Sequence, residues 1–171
     1  MRADRSSDAE LVHEGIVAAG INLVASLPDI NLVELIGRLE GDDRLIHVPL
    51  SREEEGIGIA AGTYLGGGMP AVLMQNAGLL NTCNALTTTA LQFEIPMVLL
   101  VWYAGHLGDN AFMRLGEVTE PVLRALGIRT FIPADATAAR SLIPQAATLS
   151  RAAMRPVAVL LTRSALRRST G

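Results

Sequence analysis

Met97-Val98-Leu99-Leu100-Val101-Trp102 is a run of six apolar residues with no alternation. A strand with one face in water would alternate apolar and polar residues at a period of two. This one is therefore covered on both faces, as strands of a parallel sheet between helical layers are. The rest of the chain supplies matching pieces. Strands are predicted at Ile21–Ser26, Leu45–Pro49, Ala71–Gln75, Arg129–Ile132 and Val157–Leu161. Helical periodicity falls between them at Ser7–Ala19, Asn31–Glu40, Arg52–Leu65, Asn81–Leu91, Gly116–Leu126 and Ala136–Arg151. Alternation with short connections implies an α/β fold: one three-layer domain over residues 1–171, an open and mostly parallel sheet with helices on both faces.

Composition narrows the function classes. Half of the 171 residues are hydrophobic, yet no apolar run reaches the length of a membrane span. The apolar excess predicts a subunit interface, in a homo-dimer or a hetero-oligomer. A formal charge of −3 argues against nucleic acid as a partner. The basic cluster Arg163–Arg168 reads as a solvated helix end. The N-terminal residues lack the apolar core of a secretory signal. The single cysteine, Cys83, excludes an internal disulfide, fits a cytoplasmic protein and reads as structural.

The chemistry concentrates around Ser51-Arg-Glu-Glu-Glu-Gly-Ile-Gly-Ile-Ala-Ala-Gly62. Ser51 and Glu54 have the spacing of a capping box, and the helix dipole favours carboxylates in a first turn. Neither explains Gly56, Gly58 and Gly62, each costing about 0.5–1 kcal/mol relative to alanine in a helix interior. They leave a bare helix face that another backbone or a flat ligand can approach. In open α/β sheets ligands bind beyond the carboxyl ends of the strands. Leu27–Asn31, Ser51–Glu55, Asn76–Asn81 and Tyr103–Asp109 sit there. No phosphate-binding glycine fingerprint is present, and His13, His47 and His106 lack metal-ligand spacing, so no metal site is expected on this chain.

Taken in order, Arg52-Glu-Glu-Glu-Gly-Ile-Gly-Ile-Ala-Ala-Gly-Thr-Tyr-Leu-Gly-Gly67, Gln75-Asn-Ala-Gly-Leu-Leu-Asn-Thr-Cys-Asn-Ala-Leu-Thr-Thr88 and Ile95-Pro-Met-Val-Leu-Leu-Val101 resemble the pyrimidine-binding domain of thiamine-diphosphate enzymes. Within that superfamily the chain is most similar to the alpha subunits of sulfopyruvate decarboxylases and the matching part of phosphonopyruvate decarboxylases, over about Glu14–Leu161. The resemblance makes Glu53, nine residues before Gly62, the catalytic glutamate. In this family that carboxyl group hydrogen-bonds N1′ of the cofactor's aminopyrimidine, which lets the cofactor remove its own C2 proton. It also implies cofactor contacts at Glu53, Asn76, Gly78 and Asn81, and substrate contacts at Asp29, Gln75, Asn76 and His106. Asn76 and Asn81 are equally suited to turns and caps, and Asp29 to capping the helix near Asn31.

Three departures stand out. Relatives carry serine where this chain has Ile30, glycine where it has Leu80, and Trp-Arg-Gly where it reads Trp102-Tyr103-Ala104-Gly105. An arginine there would suit a sulfonate or phosphonate. The family's Gly-Asp-Gly diphosphate and Mg²⁺ cradle has no match, since Gly108-Asp109-Asn110 lacks the second glycine. The expected function is therefore that of an alpha-type subunit of a decarboxylase for a small anionic, sulfopyruvate-like 2-oxo acid. It would use thiamine diphosphate, with Mg²⁺ held mainly by a diphosphate-binding beta-type partner. The rival expectation is a non-catalytic binding module derived from the same domain.

Overall fold

A computed structural model describes residues 6–107 and 109–167. Readings that fall on residues 1–5, Gly108 or 168–171 lie outside the described residues. The strands are β1 (Leu23–Ser26), β2 (Ile46–Pro49), β3 (Pro70–Gln75), β4 (Val98–Trp102), β5 (Arg129–Phe131) and β6 (Val157–Leu161). They form one six-stranded sheet in the order β2-β1-β3-β4-β6-β5, and every described pairing is parallel. The helices are α1 (Asp8–Ala18), α2 (Val33–Glu40), α3 (Glu53–Leu65), α4 (Asn76–Asn81), α5 (Cys83–Ala85), α6 (Met113–Ala125) and α7 (Ala136–Ala153). A π-helical turn, Leu86–Leu91, continues α5.

The apolar run that predicted a doubly covered strand is β4, all five of its residues buried. Its side chains divide at a period of two. Val98, Leu100 and Trp102 join the core under α1, α2 and α7, whereas Leu99 and Val101 join the core under α3, α6 and the α4–α5 segment. β2 is an edge strand and carries none of this pattern: its burial is shallow throughout.

Several local expectations are corrected. The helix expected from Asn81 begins five residues earlier, directly at the end of β3, because Gln75 is extended and Asn76 already helical. The capping box does not use Ser51 and Glu54. Glu55 reaches back to the backbone N–H groups of Ser51 and Arg52, each at 3.2 Å, while Glu54 pairs with the Arg52 guanidinium at 3.1 Å. Asp29 caps the turn at Asn31 rather than α2, whose N-cap is Leu32. Residues 163–166 form a turn, not a helix end. Among the described residues no helix is long and apolar enough to cross a membrane.

The glycines of α3 also divide between two faces. Gly56 turns inward, where a Cβ would meet Leu50 Cδ1 at 2.8 Å and Val72 Cγ1 at 2.9 Å. Gly58 and Gly62 turn outward, with nothing within 4 Å of a Cβ. Gly56 thus sets how close α3 lies to the sheet, while Gly58 and Gly62 leave the outer face bare. Gly56→Ala is expected to destabilise the fold by about 1–3 kcal/mol through overpacking. Gly58→Ala, measured by thermal unfolding at concentrations that keep the chain dissociated, should instead stabilise it by about 0.5–1 kcal/mol. Equal losses in both variants would contradict this division.

Candidate functional site

Chain direction across the sheet reverses between β1 and β3. From β1 the chain moves outward to β2, and from β2 it crosses back over β1 to β3. Such a reversal opens a crevice beyond the carboxyl ends of the two strands. In this chain it is a cleft of about 170 Å³ lined by Leu27, Pro28, Asp29, Glu53, Gln75, Ala77 and Gly78. Three elements supply them. Leu27–Asp29 follow β1, Glu53 is the first residue of α3, and Gln75–Gly78 span the junction of β3 and α4.

Two contacts define its floor. Gln75 Nε2 donates to Asp29 Oδ2 at 2.7 Å across the crevice. Asp29 Oδ1 accepts from the Asn31 amide nitrogens, backbone at 2.8 Å and side chain at 3.0 Å. Asp29 is thereby fixed on three donors. Beside it, Glu53 lies on Gly78 so closely that a Cβ at residue 78 would overlap its carboxyl group. Ser26, the last residue of β1, is tied to the edge strand by a 2.8 Å hydrogen bond to His47 Nε2. Burial pushes the His47 pKa down, against a smaller opposing pull from Glu40. The chain has 14 arginines and no lysine, and no arginine among the described residues lines the cleft. Among the described residues no three of His, Cys, Asp and Glu are arranged to hold a metal ion.

Of the residues singled out in the sequence, the structure brings together Asp29, Glu53, Gln75 and Gly78. It places the others elsewhere. Asn81 is exposed at the far end of α4. Asn76 is fully buried and is not among the residues that line the cleft. Its Nδ2 donates to the Ala104 carbonyl and to Thr119 Oγ1, both at 2.9 Å, and its Oδ1 has no partner. An unmatched buried acceptor costs about 1–3 kcal/mol, so this amide is present for its two donors. His106 sits on the neighbouring β4–α6 connection, its ring centroid 4.8 Å from that of Tyr103.

Tyr103 is turned into the protein. Its single hydroxyl hydrogen faces two acceptors, Glu120 Oε1 at 3.0 Å and the Gly116 carbonyl at 3.1 Å. Burial first, and then Glu120, push its pKa up to about 12. Cys83 is half-buried, and burial pushes its thiol pKa up, as suits an unreactive structural cysteine. Leu27 and Ala77 fall in segments that the sequence placed at this end of the sheet, whereas the Asn76–Thr119 pair was not legible, because 43 residues separate its members.

Comparison with known proteins agrees with this geometry. Residues 10–169 match the family model described as transketolase, pyrimidine binding domain. The chain belongs to this family. It is 37% identical to sulfopyruvate decarboxylase subunit alpha of Methanococcus maripaludis over 90% of this chain and 93% of that one. It is 36% identical to the protein of the same name from Methanothermobacter thermautotrophicus, over 94% and 97% respectively. A solved 2-oxoglutarate:ferredoxin oxidoreductase from Magnetococcus marinus superposes with a TM-score of 0.73 at 15% identity. That likeness, over 94% of this chain and 29% of the other, is one of fold alone. The Glu53–Gly78 contact lies within the lining of the cleft between β1 and β3.

The contact has a consequence that needs no ligand. Gly78→Ala must displace the Glu53 side chain and should destabilise the chain by about 1–3 kcal/mol. Adding Glu53→Ala should restore most of that loss in denaturant unfolding. Additive losses in the double variant would mean that the two residues do not meet.

Proposed function

We propose that this chain is the pyrimidine-binding, alpha-type subunit of a thiamine-diphosphate-dependent decarboxylase that releases CO₂ from a small 2-oxo acid. The observation that carries the reading is the Glu53 carboxyl group packed on Gly78 at the switch point of the sheet. Family membership and two relatives named as sulfopyruvate decarboxylase subunit alpha support it.

The residues fit the pyrimidine half of the cofactor. A carboxyl group, a residue without Cβ and the apolar Leu27 and Ala77 suit a flat aromatic ring bearing a nitrogen. The volume, about 170 Å³, is less than the roughly 300–1,000 Å³ of a complete ligand site. No lining cation is available to a diphosphate, so the Mg²⁺ and diphosphate belong to the partner chain. Five large apolar side chains exposed after β1 and β4, in the connections and at the first positions of α2 and α6, offer that partner a surface: Ile30, Val33, Leu107, Phe112 and Met113.

When bound, the cofactor supplies the electron sink for CO₂ loss. This chain's residues do the rest of its share. Glu53 would hold a proton at N1′ of the pyrimidine, Gly78 leaves room for that carboxyl group, and Leu27 and Ala77 would exclude water from it. The Asp29–Gln75 pair, fixed across the crevice, lies where the small substrate would be held.

The test is Glu53→Gln in enzyme assembled with its partner. Turnover of the 2-oxo acid should fall by about 10²–10⁴-fold, the worth of a lost proton relay, with the melting temperature unchanged. Glu55→Gln, at the capping residue, should leave turnover within a few-fold. The reverse pattern would put the catalytic carboxyl group at the wrong residue. Wild-type assembly without CO₂ release from any 2-oxo acid would favour the non-catalytic module.

A further inference from the structure

We propose that Asn76 is a positioning residue: its buried amide ties the β4–α6 connection, which carries His106, to the strand–helix junction that forms the cleft wall at Gln75 and Gly78. The inference rests on the proposed function, since it concerns the same site. Asn76 is the first residue of α4, between Gln75, which holds Asp29, and Gly78, which receives Glu53. Its position is therefore that of the cleft wall itself.

The orientation of the amide is fixed by chemistry. The Ala104 carbonyl can only accept, so Nδ2 must face it. Thr119 Oγ1 spends its hydrogen on the Leu115 carbonyl at 2.7 Å, so it too accepts from Nδ2. Both amide hydrogens are committed, one to the connection after β4 and one to α6. Asn76 is thus the hinge pin between three elements, at zero exposure.

Beyond Ala104 the chain has little freedom of its own. Gly105 has φ +76°, a conformation suited to glycine, and a Cβ there would overlap the Phe112 carbonyl. The Gly105 N–H donates to Asp109 Oδ2 at 3.2 Å, and Asp109 in turn meets Arg163 at 3.4 Å. His106 follows directly and rests on Tyr103. Among the described residues of the connection, Ala104 is the one that the Asn76 amide ties to the start of α4.

The experiment has two arms, both on the full chain. In the first, hydrogen exchange is followed in Asn76→Leu, which keeps the volume and removes both donors. Exchange over residues 103–107 should rise about tenfold, with residues 8–18 and 157–161 unchanged. Thr119→Val, which keeps the bond to Ala104, should leave 103–107 protected and serves if Asn76→Leu does not fold. In the second arm, in assembled enzyme, Asn76→Leu should raise KM for the 2-oxo acid about tenfold with kcat little changed. His106→Ala should add at most about twofold on top, although it costs more alone. A lowered melting temperature with unchanged exchange and KM, or multiplicative effects of the two substitutions, would overturn the proposal. Equal loss of protection at 103–107 in Thr119→Val would overturn it as well. Inactive wild-type enzyme would refute the proposed function, and the exchange arm would still decide whether Asn76 fixes the connection.

Discussion

A Cβ at position 78 would overlap the Glu53 carboxyl group, so the start of α3 and the start of α4 can meet only because residue 78 is glycine. That approach needs the rest of the architecture. The order β2-β1-β3 places the β1–β3 crevice between the two helix starts. Gly56 lets α3 sink onto Val72 and Leu50, which brings Glu53 down to the level of the crevice. The buried apolar strands β3 and β4 then hold the far wall. The Glu53 carboxyl group is positioned here by backbone geometry, with side chains serving mainly to lock it.

The layered fold was legible because its signals are local and repeated. β4 reads as doubly covered from its composition alone, and the six strands fall close to their expected places. What the sequence did not reveal is what depends on distance in space. Glu54 and Glu55 are chemically alike, and only the extended conformation at Arg52 decides that Glu55 makes the cap. Asn76 looks like a cleft residue because it stands between two of them. Burial of its side chain against Ala104 and Thr119 arises from elements far along the chain. Glu53 and Gly78 were each singled out, but their direct contact was invisible until β3 and α3 were placed side by side.

The site offers the carboxyl groups of Asp29 and Glu53, the Gln75 amide and a small apolar slot, with no lysine or arginine among its described lining residues. Hydrogen bonds of this kind contribute about 0.5–1.5 kcal/mol each, too little to offset the loss of freedom when a ligand is immobilised. A diphosphate with its divalent cation calls for hard oxygen ligands, which the proposed reading assigns to a partner chain. Division of the cofactor site between two chains is the central claim.

Calorimetry with thiamine diphosphate and Mg²⁺ tests it most directly. The cofactor is titrated into this chain alone and then into the chain co-purified with its diphosphate-binding partner. The account predicts no measurable binding in the first titration and saturable, Mg²⁺-dependent binding in the second. Micromolar, Mg²⁺-dependent binding to the isolated chain would contradict it, because a complete cofactor site would then reside on this chain alone.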